Sequence, residues 1–322
     1  MGDILGPTIA EAEKYENAKI SFRATFMDYL ESGSDPAGKS IMPAVMETKS
    51  NGASEEYVFI GDLPGFEEWK DERKMGGLAA HKITVTNKNW ASGVPIHRNE
   101  IMDDKLQIVS KRLEGLANKA RRHKDALLMK LLINGFSGTA FPETGDGTCY
   151  TQKTFFATDH SLEGGSATIS NRLTSAFSET AVEAAIQTMT EYTTWDGADP
   201  LDITPTHVIV GPKNMWKAYR LFGQQVTVRT AGDGGESNIH AGRLQVIVSP
   251  RLIGTYDDYW FLGAFGEVMK PLIFQDREPI TTAAQVDWSS DDMFKRGKMN
   301  FGAQARYGAG YFDPRLIIGS IL

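Results

Sequence analysis

Cysteine is almost missing from this chain. Cys149 is the one thiol in 322 residues, so no internal disulfide can form, and a reducing, intracellular place of synthesis is expected. No apolar run approaches the roughly 20 residues that span a bilayer, so no membrane partner is expected. The first residues, Met1-Gly-Asp-Ile-Leu-Gly-Pro7, lack a basic stretch followed by an apolar core, and no secretory signal is expected there. Positive charge is also in deficit. Lys and Arg number 34 against 41 Asp and Glu, a formal net charge of -7. A dedicated nucleic-acid binder draws its affinity from a basic field, so that class is disfavoured.

Motifs that carry chemistry are equally scarce. The glycine-rich stretch Gly232 to Gly235 lacks the Lys-Ser/Thr that completes a phosphate loop. Gly308 and Gly310 lack the third glycine of a dinucleotide fingerprint, and Gly135-Phe-Ser137-Gly138 is one residue short of a nucleophile elbow. No His-Glu-x-x-His occurs, and His81, His97, His123, His207 and His240 are dispersed without ligand spacing. Asp146 between glycines lacks the alternating carboxylates of a calcium loop, and Asp287 to Asp292 reads as a solvated turn. The best enzyme-like constellation is Cys149 with Asp159-His160, a thiol and an imidazole that could act as nucleophile and base. His160 in a Gly/Ser-rich stretch is better read as a local hydrogen-bonding residue. No catalytic, cofactor-binding or metal-ligating residue is therefore assigned, and no cofactor.

What is present is a folded, mixed composition, 41% hydrophobic and 23% charged, in a chain long enough for two domains or one with appendages. Residues 8–31 predict a helix with an apolar stripe from Ile20, Phe22, Phe26 and Tyr29. The polar stretch that follows makes residues 1–56 an arm with little core of its own. Ile83 and Val85 alternate with Thr84 and Thr86, and Val94 and Ile96 alternate about Pro95; together they read as a long hairpin. Pro95 has no N–H to give a ladder, so its strand belongs at an edge. A hairpin alone is marginal in water, and an outside surface should cover it.

Residues 103–134 predict the clearest helix, roughly 45–50 Å long, with Leu106, Val109, Leu113, Leu116, Ala120, Leu127 and Leu131 on one face. Its other face carries Lys105, Lys111, Arg112, Lys119, Arg121, Arg122, Lys124 and Lys130. A solvated helix face is the preferred reading over one that faces DNA, because Glu114 and Asp125 interrupt it. Residues 178–262 predict a compact α/β unit: a helix from Thr180, strands at 206–210, 226–228, 244–248 and 259–262, and a second helix bearing Met215, Trp216, Tyr219 and Phe222. Strand patterning returns at 271–275, 294–307 and 316–318.

Segments spread along the chain carry a resemblance: Phe22-Arg-Ala-Thr-Phe26, Ile60-Gly-Asp-Leu-Pro-Gly-Phe-Glu-Glu-Trp69, Asn87 through Arg98-Asn-Glu-Ile101-Met-Asp-Asp104, and Phe155-Phe-Ala-Thr-Asp-His160. They resemble the Mu-like major head subunit family, the shell proteins of contractile-tailed phages and their prophage relatives. The match covers most of the chain and is weaker between about 140 and 205. It implies an α+β fold of the Hong Kong 97 type. The arm would be 1–56 and the extended loop 57–100. A peripheral domain would take 101–177 and 263–322 with a spine helix at 103–134, and an axial domain 178–262. It implies a major capsid protein that assembles with itself into hexamers and pentamers of an icosahedral shell, made in the host cytoplasm and ending in the virion. A scaffold or protease would assist assembly, and packaged DNA would be met without specificity. Phe66, Trp69, Trp90, Val94 and Ile96 are the expected inter-subunit contacts. An encapsulin-like nanocompartment shell and a Cys149/His160 hydrolase are the alternatives.

Overall fold

The computed structural model describes residues 9–32, 40–59, 62, 81–103, 108–138, 147–162, 165–223, 226–227, 236–287 and 289–322. Phe66, Trp69, Lys105, Leu106, Asp146 and the stretch Gly232 to Gly235 lie outside these described residues. In chain order the elements are α1 (Ile9–Ser32), β1 (Val45–Lys49), β2 (Ser54–Phe59), β3 (His81–Thr86), β4 (Lys88–His97), α2 (Arg98–Met102), α3 (Ile108–Asn134) and β5 (Arg172–Leu173). There follow α4 (Glu179–Thr190), β6 (His207–Val210), α5 (Met215–Gly223), β7 (Val226–Thr227), β8 (Glu236–Ser237), β9 (Gln245–Val248) and β10 (Trp260–Gly263). The chain closes with β11 (Leu272–Gln285), α6 (Asp291–Arg296), β12 (Lys298–Tyr311) and β13 (Ile317–Ser320).

Two compact units result, the first from Met1–Asp35, Lys88–Lys124 and Asp276–Tyr307, the second from Pro36–Asn87, Asp125–Gln275 and Gly308–Leu322. α3, β11 and β12 each contribute residues to both. In the first unit, β4 pairs antiparallel with β12 from Lys88↔Tyr307 to His97↔Lys298. β4 is last in the sheet order β1-β11-β12-β4, the edge place that Pro95 demands. Alternation along β4 turns Ile96 into a core with Leu113, Leu116 and Ala117 of α3 and Met299, Phe301 and Ala303 of β12, while Val94 packs beside it. Phe22 and Phe26, one turn apart on α1, enter the same core, and Phe22 meets Phe301 with ring centroids 4.9 Å apart.

The second unit is built on a five-stranded sheet of order β5-β13-β10-β6-β9. β6 and β9 run parallel, joined through α5, and β10 lies antiparallel between β6 and β13. Strands buried on both faces read as continuous apolar runs, and His207-Val-Ile-Val210 and Trp260-Phe-Leu262 do. α4, capped by Ser178 Oγ accepting from Ala181 N–H, lays Val182, Ala185 and Met189 on the core.

Several sequence expectations are corrected here. β3 does not pair with β4. It pairs with β2, from Ser54↔Thr86 to Phe59↔His81, so the 81–97 region divides between two partners rather than forming one hairpin. The alternation that marks a strand does not name its neighbour. Ile20 is 65% exposed, and the stripe of α1 runs through Phe22 and Phe26 instead. Of the 103–134 helix, α3 gives Ile108–Asn134, and Asp103 closes α2; residues 104–107 lie outside the described residues. Phe294 sits on a helix, α6, not a strand. Ser290 caps it, Asp291 and Asp292 occupy its first turn, and Gly297 closes it at φ 61°. Thus the acidic cluster read as a turn is a helix start. The α/β sheet also takes β5 and β13 from outside 178–262.

Truncating Phe26 should leave a cavity in the first unit. We expect Phe26→Ala to lower unfolding free energy by about 3–5 kcal/mol, while Ile20→Ala stays within about 0.5 kcal/mol. Denaturant unfolding of the two variants checks the assignment of the stripe.

Candidate functional site

Phe59 and His81 are directly paired at one end of β2 and β3. This strand pair is fastened from several sides. Gln275, fully buried at the start of β11, donates from Nε2 to the Val85 carbonyl at 2.9 Å and to Asn87 Oδ1 at 2.8 Å. Its Oε1 accepts from the Tyr57 hydroxyl at 3.1 Å. Asn87 in turn donates to Ser50 Oγ at 2.7 Å. An amide that satisfies both a strand end and a neighbouring side chain locks register as well as position.

Asp62, just past β2, meets the guanidinium of Arg315. Arg315 Nη1 donates to both Asp62 oxygens at 2.7 and 2.9 Å, while its Nε and Nη2 reach Asp313 at 3.1 and 2.9 Å. Asp62 Oδ2 also accepts from Trp195 N–H at 2.8 Å. The guanidinium lies over the rings of Trp195 and Phe59, at 5.1 and 5.4 Å from their centroids, and Phe59 stacks on Tyr150 at 4.1 Å. Burial works against the charge on Arg315, whose side chain is 5% exposed. Asp313, Tyr150 and Asp62 outweigh it and hold its pKa above the ordinary value. Burial and the nearby Asp313 push the Tyr150 phenol well up. This clamp escaped sequence reading because Asp62 and Arg315 stand 253 residues apart, and a lone Arg after Asp313-Pro314 carries no spacing signal.

The expected contact residues separate. Ile96 is fully buried in the first unit's own core, and the partly buried Val94 packs against that core. Trp90 is half-buried. Its Nε1 donates to the Tyr307 carbonyl at 3.1 Å, and its ring lies 4.6 Å from His123 and 5.9 Å from Tyr307. β4 joins β12 along its whole length, so these residues stand on a sheet edge and not on a free hairpin.

Cys149 and His160 do come together, with Sγ 3.9 Å from Nδ1, but as a structural lock. Both are buried. Burial raises the thiol's pKa and lowers the imidazole's, so neither thiolate nor imidazolium is favoured. Nδ1 stands 2.7 Å from the Thr151 hydroxyl. Nε2 faces the Phe155 carbonyl and Asn171 Oδ1 at 3.3 and 3.2 Å, which assigns the proton to Nε2. Asn171, fully buried, donates to the carbonyls of Phe155, Pro314 and Ile317 at 2.9, 2.9 and 3.2 Å. It ties the Phe155 to His160 segment to the strand that ends the chain. Asp159 stays outside this lock and pairs with exposed Lys153 at 2.6 Å.

A family model described as Mu-like prophage major head subunit gpT matches residues 17–178, 172–252 and 253–320. The Mu-like prophage FluMu major head subunit of Haemophilus influenzae is 37% identical over 112 residues, 35% of this chain and 33% of that protein. The major capsid protein of Escherichia phage Mu is 29% identical over 140 residues, 44% of this chain and 42% of that protein. The matched part of the chain thus spans less than half the length of either curated relative. In the procapsid of bacteriophage JBD30, a chain 18% identical superposes over 95% of this chain and 75% of its own length with a TM-score of 0.53. The fold is that of phage capsid chains.

Removing the guanidinium leaves Asp313 buried without its cation. Arg315→Met should therefore cost roughly 3–5 kcal/mol in denaturant unfolding, with part of the loss restored by adding Asp313→Asn. His160 supplies a pH test. Its folded pKa lies below the unfolded value of about 6.5, so no stability is lost above that pH. Stability falls as protons bind the unfolded chain preferentially below it. Unfolding free energy should decline as pH falls below about 6.5, and the slope should flatten in His160→Gln.

Proposed function

The chain belongs to the Mu-like prophage major head subunit gpT family, and from that premise we propose that it is the major shell subunit of a tailed-phage or prophage head. Copies of it close into an icosahedral container round a DNA genome. The observation that carries this reading is the fastened base at β2 and β3. A strand pair and a buried ion cluster hold the start and end of residues 60–80 in one place, which suits a segment whose work lies on a neighbouring copy. Phe66 and Trp69 in that segment are the apolar anchors we assign to the neighbour, with the outer edge of Trp90 as a lesser contributor.

In this reading the extended loop is narrower than 57–100, since 81–97 belongs to the sheets. α1 and the following residues form an arm docked through Phe22 and Phe26. α3 with β11 and β12 is the stiff peripheral frame, and the sheet of β6, β9 and β10 is the axial part. Individually modest contacts become decisive because closed symmetry repeats them in every copy. Exposed Lys111, Arg112, Lys119, Arg122 and Lys130 on α3 would meet packaged DNA weakly and without sequence preference, consistent with a net charge of -7. A scaffold or protease would act during assembly in the host cytoplasm, and the finished shell belongs to the virion.

Trp69→Asp should yield a soluble subunit with unchanged thermal unfolding that forms no shells under the electron microscope. Normal shells from that variant would remove the loop from the assembly interface. Trp90→Asp, by contrast, should reduce the stability of the subunit itself, because it breaks the packing on Tyr307 and His123.

A further inference from the structure

Outside the fastened strand pair, a convergent set of donor atoms stands on α4 and on the turn at 238–243. Glu179 and Glu183 lie one helical turn apart, so their carboxylates share a face of α4. The turn is anchored on the end of α5. Asn238 Nδ2 donates to the Leu221 carbonyl at 2.8 Å, and Asn238 Oδ1 accepts from His240 N–H at 2.9 Å. Gly242, at φ 75°, donates to the Phe222 carbonyl at 2.8 Å. A left-handed residue is needed there to bring the chain back, which is the conformation glycine takes without strain. The imidazole of His240 is thereby buried, its side chain 4% exposed, with Nε2 at 2.9 Å from Glu183 Oε1 and 3.5 Å from Glu179 Oε1.

We propose that Glu179, Glu183 and His240 bind a divalent transition-metal ion of the Zn2+ type. The donor atoms of all three lie within 4.8 Å of one another. Metal bonds of about 2.0–2.2 Å place tetrahedral neighbours roughly 3.3 Å apart, so small side-chain adjustments suffice. The carboxylates are half-exposed, at 45% and 48%, and can swing inward, leaving the solvent side for a water as fourth ligand. The dication would remove the repulsion of like charges spaced four apart on a helix. The donor set of one imidazole and two carboxylates suits Zn2+, Co2+ or Ni2+ above Mg2+. His240 Nδ1 is buried without a hydrogen-bond partner in the structure, so the ion-bound imidazole lacks the second acceptor that strengthens zinc sites. Affinity is accordingly weaker than at a closed structural zinc site. The ion would join α4 to the turn that follows β8, fixing one end of the glycine-rich stretch, whether or not shells form.

Thermal unfolding of the metal-stripped full chain tests the site. Saturating Zn2+ should raise the midpoint by at least roughly 2 °C, and Mg2+ should not. Glu179→Gln and Glu183→Gln, which alter half-exposed side chains, should each stay folded and, measured against its own ion-free midpoint, lose the Zn2+ response. Co2+ should give a visible d–d absorption with the unaltered chain and none with either variant. No response in the unaltered chain overturns the proposal, as does an equal response in the variants. Loss in only one variant overturns the three-ligand assignment.

Discussion

A guanidinium taken out of water must be met by opposite charge, and Arg315 is met from both sides. Asp313 holds it from its own turn, and Asp62 holds it from the far end of the chain. The desolvation cost is recovered only because nearly all its donors are used, and because Phe59 and Trp195 supply ring faces in place of solvent. That requirement joins the turn before β13, Asp62 and the 195 turn into one arrangement. Neither Asp62 nor Arg315 can shift without leaving a buried charge exposed to an apolar wall.

If the chain is a shell subunit as proposed, it faces conflicting demands. The subunit must be stable enough to survive alone, yet it must keep segments uncommitted for its neighbours. The two units meet the first demand with ordinary apolar cores. The paired strands β2 and β3, fixed through Gln275, Asn87 and Ser50, provide a firm mount from which a segment can be directed elsewhere. On the proposed reading, affinity for the neighbour need not be high, since every copy would repeat the same contact in a closed arrangement.

The Cys149–His160 pair shows how burial changes the meaning of a reactive-looking couple. Side by side in a cleft they could act as nucleophile and base. Enclosed, the thiol keeps its proton and the imidazole stays neutral, and Thr151 and Asn171 use the ring as a two-ended connector. The Phe155-Phe-Ala-Thr-Asp-His160 stretch of this chain is thus a packing and hydrogen-bonding device. Phe155 stacks on Tyr311, Phe156 on Phe136, and His160 with Asn171 satisfies the polar atoms between.

Local pattern was legible wherever period and chemistry agreed. The apolar face of α3 at Leu113, Leu116, Leu127 and Leu131, the buried strands at 207–210, 245–248 and 260–263, the edge position of Pro95 and the family itself all stood in the sequence. Periodicity is a property of neighbours in the chain, and these elements obey it. Partnership is not such a property. That β3 joins β2 while β4 joins β12, that Ile96 faces its own helix, and that Asp62 finds Arg315 were decided only in three dimensions. So was the meeting of His240 with Glu183, 57 residues away. Strand alternation and isolated charges specify which face is buried or which sign is needed, and many segments of one chain satisfy the same condition. Only the closing of the whole chain selects among them.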